Sequence, residues 1–209
     1  MPAVATIPAY EGLLYTVFQQ LRQSADGAQA KGLAIAFTSA NSGEGVTHTI
    51  QALLSGLSRD GASRTLVADS RHLRHLTIAP SNLGELFRPI PSPSSGALFA
   101  LDDPIETDAN PTGPHSWEGS WEYRRDVVEN LRSAFDYVLI DCPALRESND
   151  ILSLAPFVGG VILIVEADKT RRDQILNAEK SIEFARGKLI GHILNKRSYL
   201  VPEWIYRRL

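Results

Sequence analysis

With 209 residues, 44% of them hydrophobic and 22% charged, the chain is long enough to bury a full core and is most economically read as one domain over 1–209. A net charge of −3 argues against nucleic acid as a partner, and one cysteine, Cys142, excludes an intrachain disulfide and fits a reducing compartment. The most apolar run, 158–165, carries two glycines and stops at Glu166, far short of the roughly 20 residues that cross a bilayer, and residues 1–7 lack the basic start of a signal peptide.

Residues 10–22 predict a helix with Leu13, Leu14, Val17, Phe18 and Leu21 on one side. An apolar strand follows at 33–37, then a small-residue loop, then a helix over 46–57 in which Val46, Ile50, Leu53, Leu54 and Leu57 recur at helical spacing. A second strand, 65–69, ends in Asp69, and 81–87 predicts a short helix. From 89 to about 120 the chain is expected to be a loop-rich insertion, because Pro104, Pro111 and Pro114 preclude a long regular element. A helix over 117–133 leads into the strand 137–141. Another short helix covers 148–154, capped by Ser148 or Asn149. After a strand at 160–165 the clearest helix runs over 170–186, with Ile175, Ala178, Ile182 and Ala185 in one stripe and Thr170 as its cap; 191–195 is the last strand. The tail, 198–209, holds Trp204, Ile205, Tyr206, Arg207 and Arg208; it reads as a final helix started by Pro202 that packs on the body, or as a docking segment.

Alternating helices and almost wholly apolar strands define the class: α/β, a mostly parallel sheet covered by helices on both faces, of the P-loop NTPase-like kind. Ligands in such sheets lie at the C-terminal edge of the strands, where 38–47, 69–71 and 141–143 all fall.

Residues 38–47 read Thr-Ser-Ala-Asn-Ser-Gly-Glu-Gly-Val-Thr, the layout of a phosphate-binding loop without its lysine. In such loops backbone N–H groups and a helix N-terminus cradle the phosphates, a lysine reaches the outer oxygens and the next Ser or Thr holds magnesium. Val46 stands in the lysine position. Losing one transition-state donor costs roughly two to three orders of magnitude in rate. A charged ground-state hydrogen bond is worth roughly 1.5–3 kcal/mol. Binding survives such a loss better than phosphoryl transfer does. Asp141, closing an apolar strand beside the loop, is placed to hold a metal or its water. Cys142 after it reads as a packing residue rather than a nucleophile.

These three segments together resemble the cytoplasmic domain of bacterial tyrosine kinases of the exopolysaccharide and capsule assembly type, relatives of the MinD/ParA group of P-loop ATPases. The similarity runs from about residue 10 to residue 196. That family's loop reads Thr-Ser-x-x-x-Gly-Glu-Gly-Lys-Ser/Thr, its second acidic motif Asp-x-Asp-x-Arg against Asp69-Ser70-Arg71-His72-Leu73, and its third Tyr-Asp-Tyr-Val-Ile-Ile-Asp-x-Pro-Pro against 135–144 here. The resemblance implies a nucleotide site made of Ser42, Gly43, Glu44, Gly45, Val46, Thr47, His48, Arg71 and Asn195, the last as the residue facing adenine or else as a polar end to its strand. It implies Asp69 and Asp141 as catalytic acids and Thr47, Asp69 and Asp141 as magnesium ligands, with ATP or ADP as cofactor.

Four departures cut against catalysis. Val46 replaces the lysine, and Arg71 replaces the second acid of the Asp-x-Asp motif. The arginines of a first-helix Glu-x-x-Arg-x-x-Arg, associated with ring formation, are missing from 11–17, and the tyrosine-rich tail is reduced to Tyr199 and Tyr206. Arg71 either pairs bidentately with a phosphate or forms an ordinary surface ion pair. The expectation is a cytoplasmic regulatory or scaffold relative of the polysaccharide kinases, with weak or absent nucleotide turnover and no ring. It would work through a membrane polysaccharide co-polymerase or chain-length regulator. The alternative is an active ATP-dependent tyrosine kinase or ATPase whose cation comes from Lys31, Lys169, Lys196 or Arg71.

Overall fold

The structure, a computed structural model, describes residues 32–57, 63–74, 87–90, 97–101, 117 and 120–196. The expected helix at 10–22 with its altered ring motif, Lys31 and the tail all lie outside the described residues. In chain order the elements are β1 (Leu33–Ser39), α1 (Val46–Leu57), β2 (Arg64–Asp69), α2 (Ser70–Leu73), β3 (Phe87–Ile90), β4 (Ala97–Leu101), α3 (Trp121–Ala134), β5 (Tyr137–Asp141), α4 (Asp150–Leu154), β6 (Gly160–Glu166), α5 (Arg172–Phe184) and β7 (Leu189–Asn195).

The strands form one sheet in the order β3-β4-β2-β5-β1-β6-β7. Among the described residues every pairing is parallel except β3 with β4. Successive side chains on a strand point to opposite faces, and β1 shows what that does here. Ala34 and Ala36 face a core shared with Val127, Val128 and Leu131 of α3 and Ile151 and Leu154 of α4. Leu33, Ile35 and Phe37 face the other core, which contains Ile50 and Leu53 of α1. Both faces of β1 are fully covered, which is why its seven residues are all buried and almost all apolar.

The structure corrects the loop-rich reading of 89–120 in part. Its first residues belong to strands: β3 and β4 pair with Pro89 opposite Phe99. Proline is tolerated because β3 is the edge strand, where a missing N–H leaves no ladder broken on the outer side. Phe87, expected in a short helix, opens β3 instead and packs edge-to-face on Phe135 at 4.9 Å. The helix expected at 117–133 starts at Trp121, because Ser120 caps it by accepting from the Tyr123 N–H at 3.2 Å. Neither expected cap at 148–149 acts as a regular N-cap, although the Ser148 hydroxyl accepts from the Asp150 N–H at 3.1 Å. Thr170 does not cap α5 either; its hydroxyl is used elsewhere, and Arg171 occupies the N-cap position.

Candidate functional site

Between β1 and α1 the chain makes its turn through two glycines in the left-handed region, Gly43 at φ 77 and Gly45 at φ 97, conformations that residues with a side chain rarely adopt. Held between them, Glu44 turns its side chain inward and is 2% exposed. A buried carboxylate must be fully hydrogen-bonded, and this one is. It accepts from the Ala40 N–H at 3.1 Å, the Asn41 amide at 2.8 Å and the Thr170 hydroxyl at 2.5 Å. Asn41 is held in turn by the Gln174 amide of α5 at 3.1 Å.

Two residues at the end of β7 brace the loop from outside. The Asn195 side-chain amide donates to the Glu44 carbonyl at 2.9 Å and fills the space beside Gly45: a Cβ on that glycine would stand 2.2 Å from it. The Lys196 ammonium donates to the Gly43 carbonyl at 2.5 Å and lies 3.3 Å from Glu166.

The opposite wall carries the acids. Strands β2 and β5 pair so that Asp69 stands beside Asp141 at their C-terminal ends. Thr47, in the first turn of α1, donates its hydroxyl to Asp141 Oδ2 at 2.6 Å. Burial raises the Asp141 carboxyl above its ordinary value, and the neighbouring Asp69 charge pushes the same way against the Thr47 hydrogen bond. Asp69 ends below its ordinary value: burial opposes ionisation, and hydrogen bonds from the Arg71 side chain and backbone outweigh it. Arg71 folds back two residues, with Nε 3.0 Å and 3.1 Å from the two Asp69 oxygens and a terminal nitrogen 2.5 Å from Oδ2. Cys142 is buried and burial pushes its thiol far up, which excludes it as a nucleophile.

Beneath Arg71 the short helix α2 is fastened to the body. The Ser70 hydroxyl donates to Asp150 Oδ2 at 2.9 Å, Arg74 pairs with the other Asp150 oxygen, and Ser148 donates to Asp150 at 2.6 Å. Asp150 is 1% exposed.

Loop and acids enclose a cleft of about 380 Å³ whose lining includes Ser42, Gly43, Gly45, Val46, Thr47, His48, Asp69, Arg71 and Asp141. Most residues picked out by sequence therefore come together. Asn195 lies instead behind the loop. Thr170 and Asn41, which hold Glu44, and Gln174, which holds Asn41, were not picked out as site residues; the isolated acid between two glycines is the signal that a set of buried donors exists. Val46 is partly buried, lines the cleft and packs against the apolar core that includes Ile50. No cation takes its place in the loop itself.

Among curated proteins, the chain is 35% identical over 71 residues to the succinoglycan biosynthesis transport protein ExoP of Rhizobium meliloti, covering 34% of this chain. It is 30% identical over 82 residues, 39% of the chain, to the tyrosine-protein kinase CpsD of Streptococcus agalactiae. Its homologues are bacterial tyrosine kinases. The aligned segments span 35% of CpsD and 9% of ExoP, so the likeness concerns a part of each relative. No family model matches.

Structural likeness to kinase domains extends over nearly the whole chain. The chimerical protein CapA2B2 superposes with TM-score 0.65 over 95% of this chain and 88% of its own at 18% identity. The kinase domain of the Escherichia coli tyrosine kinase ETK gives 0.64 over 92% and 79% at 16% identity. MinD of Pyrococcus horikoshii, solved with Mg-ADP, gives 0.53 over 85% and 76% at 17% identity. The fold is that of these P-loop proteins.

Magnesium, bound with ADP in that MinD structure, is a test of fit. Mg²⁺ asks for about six oxygens in near-octahedral array at roughly 2.0–2.1 Å. Both Asp69 oxygens here hold Arg71 and one Asp141 oxygen holds Thr47. Two unit charges about 4 Å apart interact by about 4 kcal/mol at an effective permittivity near 20, and a divalent ion beside the Arg71 guanidinium would meet repulsion of that order or more. With Arg71 folded onto it, the Asp69 side of the site does not fit the ion; Asp141 keeps one oxygen free and the Thr47 hydroxyl keeps its lone pairs.

Proposed function

We propose that this chain is a degenerate tyrosine-kinase-like P-loop protein of exopolysaccharide biosynthesis, a regulatory or scaffold partner of a membrane polysaccharide co-polymerase, with weak or no ATP turnover. It acts in the cytoplasm at the inner face of the membrane through that partner. The observation that carries the reading is Val46, whose side chain packs with the core around Ile50 where a phosphoryl-transfer site needs a cation. The retained loop geometry and the kinase relatives support a protein that kept its kinase-like shape after losing the chemistry.

The alternative, an active kinase or ATPase, needs a cation from elsewhere. Lys196 touches the loop, but its ammonium is held by the Gly43 carbonyl and Glu166 and lies outside the cleft lining. Lys169 is likewise paired with Glu166, at 3.2 Å.

Calorimetry with Mg-ATP and Mg-ADP, run beside a phosphate-release assay, tests the reading. Val46→Lys is expected to raise nucleotide affinity roughly tenfold, the worth of one charged hydrogen bond. Turnover should rise less, because the acid at position 71 is still missing. Robust hydrolysis by the unmodified chain, abolished by Asp141→Asn, would overturn it.

A further inference from the structure

We infer that the cleft binds the phosphate chain of a nucleoside diphosphate or triphosphate without a divalent metal, with the Arg71 guanidinium standing where the metal would stand. This rests on the reading of the chain as a P-loop relative, and it names what the altered site takes rather than what it has lost.

In a metal-dependent P-loop site the acids at the strand ends need a cation between themselves and the phosphates, because carboxylates repel phosphate oxygens. Asp69 and Asp141 lie on adjacent strands in register, so this site has the same difficulty. Here a cation is already covalently part of the chain. Arg71 meets Asp69 through Nε and one terminal nitrogen, and its side chain is 71% exposed on the cleft wall. A guanidinium offers five N–H donors in a planar fork, so the edge left over after one carboxylate is met remains able to take phosphate oxygens. Facing it, Gly43 and Gly45 hold the loop in its turned shape, and Val46 begins the helix whose N-terminus favours anions.

The charge at position 71 points the same way, although Glu147 also lines the cleft beside the two aspartates. In a site built on Asp-x-Asp, position 71 is an acid and recruits metal; with arginine there, the same position changes by two charge units and repels metal while attracting phosphate. Arginine in place of the acid and the loss of the loop lysine are then compensating changes: one cation leaves the loop and another arrives across the cleft.

The test is calorimetric titration of ADP into the whole chain, in magnesium and again in EDTA, with melting curves to confirm that each variant is folded. The unmodified chain is expected to bind ADP with dissociation constants that agree within about twofold in the two buffers. Arg71→Ala should weaken binding in EDTA by roughly tenfold or more, the loss of one charged hydrogen bond. Arg71→Asp should bind only when magnesium is present. Loss of ADP binding by the unmodified chain on adding EDTA, unchanged binding in EDTA by Arg71→Ala, or no ADP binding in either buffer would each overturn the inference. Phosphate release from ATP in the same samples reads the proposed loss of turnover separately, so either idea can fail while the other stands.

Discussion

The two walls of the cleft have fared differently. The wall around Glu44 is an ordered set of buried polar contacts, in which Ala40, Asn41 and Thr170 all donate to one carboxylate and Asn195 and Lys196 fasten the backbone outside it. The wall around Asp69 has two acids in register, one of them paired with Arg71, and the loop residue across from it is an apolar Val46. A loop shape held by buried hydrogen bonds is expensive to lose, since each unsatisfied buried group costs about 1–3 kcal/mol. Charges on an open cleft wall carry no comparable penalty for folding.

The largest effect should come from the buried wall. Glu44→Ala strands the Ala40 N–H and the Thr170 hydroxyl and is expected to lower unfolding free energy by about 3 kcal/mol, read by urea denaturation. A loss no greater than that of an exposed substitution would erase the contrast between the walls. Thr170→Val removes one donor to Glu44 while keeping shape, and about 1 kcal/mol is expected. If instead it left stability untouched, the link from the turn ahead of α5 to the loop would carry no weight.

The smallest effect belongs to the acids, and its sign differs from that of the buried wall. Asp141 has a raised folded-state value, so folding takes up a proton there, and stability grows as pH falls from that raised value toward 3.8. Asp69 has a lowered value, so its contribution is complete above 3.8 and disappears as pH falls through the lowered native value. Asp141→Asn should therefore raise the melting temperature slightly at neutral pH and abolish the gain on acidification above 3.8, leaving only the loss below it. A lower melting temperature for this variant would place Asp141 with Glu44 among the groups that hold the fold.

Much of this was legible in the residues themselves. Strands β1, β2, β5, β6 and β7 and the long helices announce themselves because each is apolar at a fixed period. The ends of those strands then bring Thr47, Asp69 and Asp141 together. The strands β3 and β4 were not legible, since short strands at the sheet's margin, one interrupted by Pro89 and both flanked by prolines, have the composition of a loop. Nor was the direction of Glu44, which depends on two left-handed glycines turning it inward toward donors on its own loop and on Thr170 ahead of α5. Arg71 was assigned either a phosphate or a surface ion pair. Its resting partner is Asp69, two residues away and inside the site, a contact that only the turn into α2 makes reachable.

The fastening of α2 also sets a clock. Ser70 and Arg74 are both tied to the buried Asp150, and Leu73 is fully buried, so the backbone that carries Arg71 is anchored at each end of a single helical turn. Any ligand that draws the guanidinium away from Asp69 does so by turning an exposed side chain about its own bonds, motion that takes picoseconds to nanoseconds rather than the microseconds to milliseconds of a moving domain. A ligand taken on the free edge of the guanidinium, as inferred above, would need neither that turn nor a slow rearrangement of the chain.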